Sequence, residues 1–125
     1  MKRPLFVALL LAAMAVPVFA ASISSDYVEL ADAPIITVDW SKGKVQVVTL
    51  HGNRTFVFEN GERGGKYLLV IKQDAYGTRV PLWPAALHWP GGTPAALTST
   101  AGRTDFLTIF SDGSVYYALG LAQNY

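Results

Sequence analysis

Residue types that do chemistry are few in this chain of 125 residues. It contains two histidines, His51 and His88, and no cysteine. Neither histidine has a second ligand at metal spacing, and neither stands beside the nucleophile and orienting acid that a catalytic base requires. The sequence therefore predicts no catalytic residue, no metal site and no cofactor.

The acidic residues give a weaker signal for hydrolysis. Six single carboxylates stand beside predicted turns, where Asp and Glu commonly accept hydrogen bonds from the backbone. Two of them could still meet in space as the paired acids of a glycosidase, so a small secreted hydrolase stays open as the least favoured function. These residues are Asp39, Glu59, Glu62, Asp74, Asp105 and Asp112.

The aromatic residues offer a binding site of another kind. Trp83 and Trp89 each precede a proline, and Tyr76 and His88 are close to them in the chain. Indole and phenol faces pack on the apolar faces of sugars, which makes these four residues candidates for a ligand site and the chain a candidate secreted carbohydrate-binding module. The competing interpretation is a corner of the fold, because a residue before proline is held extended.

The segments that must position these residues have strand character. From residue 34 to 125 we predict one all-β domain, an antiparallel, jelly-roll-like β-sandwich of about eight strands. Asn60-Gly61 and Asp112-Gly113 are dipeptides typical of tight hairpin turns. The predicted strands are Ile35 to Trp40, Val45 to Leu50, Arg54 to Glu59, Lys66 to Gln73, Arg79 to Trp83, Leu87 to Trp89, Asp105 to Ser111 and Ser114 to Ala122.

Several of these strands carry apolar residues on both faces. A sheet with one face in water normally alternates apolar and polar residues, and this doubled pattern departs from that rule. We therefore expect an outer face to be covered by another subunit or a partner, although scattered exposed valines and tyrosines are also tolerated in β domains. The predicted interface residues are Leu68, Val70, Leu107, Ile109 and Tyr116.

The N-terminus has the layout of a secretory signal peptide. Lys2 and Arg3 precede an unbroken apolar run from Leu5 to Val16, and small residues lead to a predicted cut after Ala20. The alternative is an uncleaved apolar helical anchor over residues 1 to 20, the one route by which we expect membrane contact. Residues 21 to 33 form a predicted polar linker or arm.

The charge balance argues against a nucleic-acid partner. Removing Lys2 and Arg3 from the 10 basic residues leaves 8 against 9 acidic ones, a charge of about −1. The remaining cations are scattered, whereas phosphate binding requires clustered ones. Without cysteine there are no disulfides, so a small exported domain gains stability most readily by self-association.

Six segments of the chain, taken together and in order, resemble a β-rich C-terminal domain found in tailed-bacteriophage tail-fibre and accessory virion proteins. The resemblance implies an all-β fold and a structural role on the virion surface. The matching segments are residues 36–40 (ITVDW), 50–55 (LHGNRT), 65–74 (GKYLLVIKQD), 80–84 (VPLWP), 88–93 (HWPGGT) and 112–117 (DGSVYY).

The leading expectation is a non-enzymatic structural subunit that self-assembles into a tail-fibre, decoration or filament type of structure. It would be exported or displayed on a virion, and its partners would be copies of itself or other structural proteins. The alternative is the secreted carbohydrate-binding module, with a cell-surface glycan as its partner.

Overall fold

The computed structural model describes residues 24–125, which form nine strands in two sheets. All eight predicted strands are confirmed, and one more lies in the predicted arm. Two three-residue 3-10 turns, Trp40–Lys42 and Pro90–Gly92, are the helical segments here, and none in the described part of the chain is long enough to cross a membrane. The strands are β1 Tyr27–Glu29, β2 Ile35–Asp39, β3 Val45–Leu50, β4 Arg54–Glu59, β5 Lys66–Gln73, β6 Pro81–Leu82, β7 Leu87–His88, β8 Thr104–Ser111 and β9 Tyr116–Ala122. The predicted N-terminal segment, residues 1 to 20, lies outside the described residues.

The chain moves between the two sheets at almost every connection. The larger sheet has the strand order β1-β3-β5-β8-β9-β7, and the smaller has the order β2-β4-β6. From β1 to β7 each strand therefore lies in the other sheet from the strand before it. The all-β class is confirmed; the larger sheet draws on strands from the whole length of the described chain, and the smaller sheet on strands between residues 35 and 82.

The prediction of antiparallel, jelly-roll-like pairing is wrong for most of the fold. Five of the seven strand pairs are parallel, and only β5–β8 and β8–β9 are antiparallel. For the four parallel pairs from β1 to β6, the cause is the alternation between sheets. A strand meets the strand two steps further along the chain after two changes of direction, so the neighbours run the same way.

The two predicted tight turns differ in what they connect. Asp112 and Gly113 join β8 to β9 as a hairpin, with Gly113 at a φ of 94° and the Asp112 carboxylate accepting bonds from the backbone N–H of Ser114 and Val115. Asn60 and Gly61 follow β4, and the next strand, β5, lies in the other sheet. The expectation of a hairpin at Asn60-Gly61 is therefore wrong, because this turn carries the chain across the core.

One hydrophobic core lies between the sheets. The smaller sheet contributes Ile36, Val38 and Phe56, each 2% exposed or less. Inward side chains of β3, β5 and β8 meet them from the larger sheet, and Trp40 stacks on Tyr67 with ring centroids 4.6 Å apart. Full burial of one such side chain stabilises a fold by about 1.5–3 kcal/mol, so this shared core is what joins the two sheets.

Candidate functional site

The two Trp-Pro pairs line a groove of about 420 Å³. Trp83 follows β6, Trp89 follows β7, and the side chains of His88 and Pro94 complete the walls between them. Short proline-broken strands position these rings, and the backbone of Trp89, before Pro90, is extended. Both tryptophans are half-buried, so each offers part of its ring to the groove.

Trp83 belongs to the core and to the groove at once. Its ring stacks on Phe56 with centroids 5.0 Å apart and planes 19° apart, and it meets Trp89 at 5.4 Å and 57°. The Trp-Pro pairs can therefore form a corner of the fold and line a candidate ligand site at the same time. Packing on Phe56 fixes the ring, and a fixed aromatic face loses little entropy on binding.

A second groove of about 460 Å³ lies beside the first. The two share Pro81, Trp83 and Pro94, and the second is lined further along by Arg79, Ser99 and residues 95–97. We call the two together the Trp83 groove. Both parts are lined mainly by apolar groups, with Arg79 beside one and His88 beside the other.

Two buried polar side chains hold the walls of the Trp83 groove. The Gln73 amide donates to the carbonyl oxygens of Arg79 and Thr98 at 2.9 Å each, and its oxygen accepts from the Arg79 N–H. Asp105, 2% exposed, accepts hydrogen bonds from the N–H groups of Thr98 and Asn124. Burial alone would raise the pKa of Asp105, but these hydrogen bonds hold it below its usual range.

Tyr76 stands beside the Trp83 groove and is not one of its lining residues. It is 75% exposed, and the Arg79 guanidinium lies 4.6 Å from the centre of its ring. Arg79 also donates to Asp74 at 2.9 Å, and this hydrogen bond holds the pKa of Asp74 well below its usual range. The predicted ligand set is therefore brought together for Trp83, Trp89 and His88, while Tyr76 lies apart.

The predicted interface residues divide between the two faces of the larger sheet. Leu107 and Ile109 are 0% exposed, and Tyr116 is buried beside them in the core. Assigning these three to a subunit interface is wrong, because they point toward the smaller sheet of the same chain. Leu68 and Val70 lie on the opposite, outer face, where the interface prediction stands untested.

Sequence reasoning missed the residues that accompany Leu68 and Val70. Strand register places Val70 between Val47 and Phe106, and Leu68 between Val45 and Thr108. Phe110 and Tyr117 extend the same face across β8 and β9, with ring centroids 6.4 Å apart. We call this surface the outer face of the larger sheet. The alternation of residues along β3, β5 and β8 shows that both faces of these strands are apolar. It does not show which of the two faces points into the core.

No protein-family model, curated protein or solved structure matches this chain.

The carboxylates are placed mainly as structural anchors. Hydrogen bonds lower the pKa values of Asp39, Asp74, Asp105 and Asp112, the opposite of the raised pKa that a general acid requires. Asp26 and Glu62 do line one small groove of about 280 Å³ beside Trp40, and both are exposed. Within residues 24–125 no three His, Cys, Asp or Glu side chains cluster as metal ligands.

Proposed function

We propose that this chain is a non-enzymatic structural subunit that self-assembles into a surface or virion-associated structure of the tail-fibre, decoration or filament type. The observation that carries the proposal is the apolar outer face of the larger sheet. Four neighbouring strands, β3, β5, β8 and β9, contribute to it.

The composition of that face fits a contact between protein surfaces. Its central row, Val47, Val70 and Phe106, is flanked by Leu68 on β5 and Phe110 on β8. Val47 and Val70 are 7% and 6% exposed, Tyr125 of the same chain packs on Phe106, and Tyr117 is 39% exposed. Apolar surface flanked by polar groups, here the exposed Lys66, Lys72 and Thr108, is typical of interaction sites.

The family resemblance supports the same role. Its matching segments fall on β2, on the turn between β3 and β4, on β5, on the Trp83 groove and on the β8–β9 hairpin. We place the two sheets in a sandwich-like arrangement, which their single shared core supports. In this proposal the signal-like residues 1 to 20 direct export, and N-terminal sequencing of the protein from its native source would find Ala21 first.

A charge placed on the outer face tests the proposal. Leu68→Lys puts an ammonium into the candidate contact, while Leu82→Lys places the same charge on a residue that is 65% exposed in the smaller sheet. Sedimentation velocity of the full chain should show an assembly that Leu68→Lys weakens at least tenfold and Leu82→Lys leaves intact. Equal assembly of the wild type and both variants would exclude the outer face as the contact.

The second candidate function is a carbohydrate-binding module, and the indole of Trp83, which is shared by the two adjacent grooves, favours it. A fixed indole face in an open groove suits a saccharide, since aromatic rings pack on the apolar faces of sugars. Arg79 lines one groove and His88 the other, where their N–H groups would donate hydrogen bonds to sugar hydroxyls.

Glycan-array screening of the full chain tests the second candidate. Trp83→Ala and Trp89→Ala should each abolish binding, and both should cost stability because both rings pack against the core. Tyr76→Ala is the control, since Tyr76 does not line the groove. Binding that survives both tryptophan substitutions, or no binding to any glycan, would remove this candidate.

A further inference from the structure

Strand β2 forms an open edge of the smaller sheet. The strand order β2-β4-β6 leaves one side of β2 unpaired within residues 24–125. At five residues it is the longest edge strand of either sheet, since β1 has three residues and β6 and β7 have two each. Long open edges are a ready template for pairing with another chain.

The hydrogen-bond ladder shows which backbone groups face outward. The Thr55 N–H donates to the carbonyl oxygen of Pro34, and alternate residues of a parallel strand face the same neighbour. Ile36 and Val38 therefore bond to β4, while the backbone groups of Ile35, Thr37 and Asp39 point away from the sheet. In the described part of the chain, the outward groups of Ile35 and Thr37 have no hydrogen-bond partner.

The usual protections of an edge strand are missing from β2. The segment Ile35 to Val38 contains no proline and no charge, and Ile35 is 60% exposed. By contrast, the edge strand β6 begins with Pro81, which has no N–H to offer. The one acid, Asp39, has its carboxylate held by Ser41 and Asn60 at the end of the strand.

We propose that β2 pairs edge to edge with β2 of a second copy of this chain, antiparallel and two-fold symmetric about Thr37. In that register Thr37 faces the partner's Thr37, and Ile35 faces the partner's Asp39. These are the three outward residues and no others, so the register turns all of them into hydrogen-bonded pairs, with up to about six bonds. The Asp39 carbonyl oxygen already accepts from the Gln46 amide at 2.8 Å and has a second lone pair for this bond.

The partner is a second copy because the edge is complementary to itself. In a two-fold contact, each residue that meets a second residue of the partner must be met in turn by the partner's copy of itself. Ile35, Thr37 and Asp39, the outward residues of β2, satisfy this condition when the axis passes through Thr37. Ile36 then lies opposite the partner's Val38, which continues the apolar inner face from one small sheet into the next. The inference deepens the proposed self-assembly and rests on it, while naming a contact separate from the outer face of the larger sheet.

Disulfide trapping tests this pairing, because the chain has no cysteine of its own. Facing residues of a hydrogen-bonded antiparallel pair have Cα atoms about 5.5 Å apart, which lies in the range that a disulfide spans. The full chain carrying Thr37→Cys should form a disulfide-linked dimer under mild oxidation at least tenfold faster than one carrying Thr100→Cys. Thr100 is an exposed threonine between β7 and β8, outside both proposed contacts, and is the matched control.

A second variant covers the possibility that the cysteine perturbs the edge. Thr37→Pro removes only an outward N–H and spares the bonds to β4, so the chain should fold and lose the β2 contact. If the wild type assembles but Thr37→Cys crosslinks no faster than the control, or Thr37→Pro assembles as well as the wild type, this pairing is overturned and the proposed function stands. A wild type that stays monomeric overturns both.

Discussion

The backbone N–H of Gly61 donates a hydrogen bond of 3.0 Å to the phenolic oxygen of Tyr116, 55 residues further along the chain. This bond joins the turn that carries the chain from β4 across to β5 with the first residue of β9. A Cβ atom on Gly61 would meet the Tyr116 ring and the Ser111 hydroxyl, so the turn lies directly against that phenol. The crossing between the sheets is thereby fixed by a residue from the last strand.

Removing the Tyr116 hydroxyl should destabilise the fold. Tyr116→Phe leaves the half-buried Gly61 N–H without its partner, at a cost of about 1–3 kcal/mol in the free energy of unfolding. Tyr117→Phe is the matched control, because that hydroxyl bonds Asp112 at the exposed surface at 3.2 Å. Urea unfolding followed by tryptophan fluorescence measures both, and equal losses for the two variants would show that the Gly61 bond has no special role.

The buried amide of Gln46 should also stabilise the fold, at the same end of the core. It is 0% exposed and donates to the carbonyl oxygens of Asp39 and Gly43 at 2.8 and 2.9 Å. Gln46→Met keeps the volume and leaves both carbonyl groups unpaired, so we expect a loss of about 1–3 kcal/mol. Urea unfolding measures this loss, and a Gln46→Met protein as stable as the wild type would contradict this account.

Acid should weaken the fold partly through Asp74. The hydrogen bond from Arg79 lowers the pKa of Asp74 in the folded state, so the unfolded chain, with an ordinary carboxyl pKa of about 3.9, takes up a proton first as the pH falls. This contribution is therefore complete at neutral pH and is lost as the pH drops below about 4. His51 Nδ1 lies 3.4 Å from the same carboxylate.

The test compares urea unfolding of the wild type and Asp74→Asn across a pH series. The stability difference between them should be largest near pH 7 and shrink below about pH 4. Arg79→Gln removes the same pair from its other side and should follow the same course. A difference that stays constant down to pH 2 would mean that Asp74 does not contribute through its charge.

Strand positions could be predicted from the sequence because local signals decide them. β-Branched and aromatic runs ending at Gly, Asn and Asp locate β3, β4 and β5 with their observed bounds. Strand β1 was missed because Tyr27–Glu29 is too short to show alternation, and its pairing with β3 comes from tertiary contact.

Strand direction and face could not be predicted in the same way. Alternation has the same period in parallel and antiparallel sheets, so it does not reveal that β3 and β5 run side by side in the same direction. It also predicted apolar residues on both faces of β8 without showing which face points into the core. Leu107 and Ile109 are the residues of β8 that point inward. The Trp83 groove depends on the meeting of β6, β7 and residues 94–99, which are brought together by Gln73 and Asp105 rather than by sequence proximity.

The mass of the assembled protein tests the central claim most directly. Light scattering coupled to size-exclusion chromatography of the full chain, over a hundredfold range of concentration, should give a mass that is a multiple of the 13.5 kDa of one chain. The assembly should survive salt, since the proposed contacts are apolar side chains and backbone hydrogen bonds rather than ion pairs. A single species at the mass of one chain at the highest concentration would contradict the proposed self-assembly.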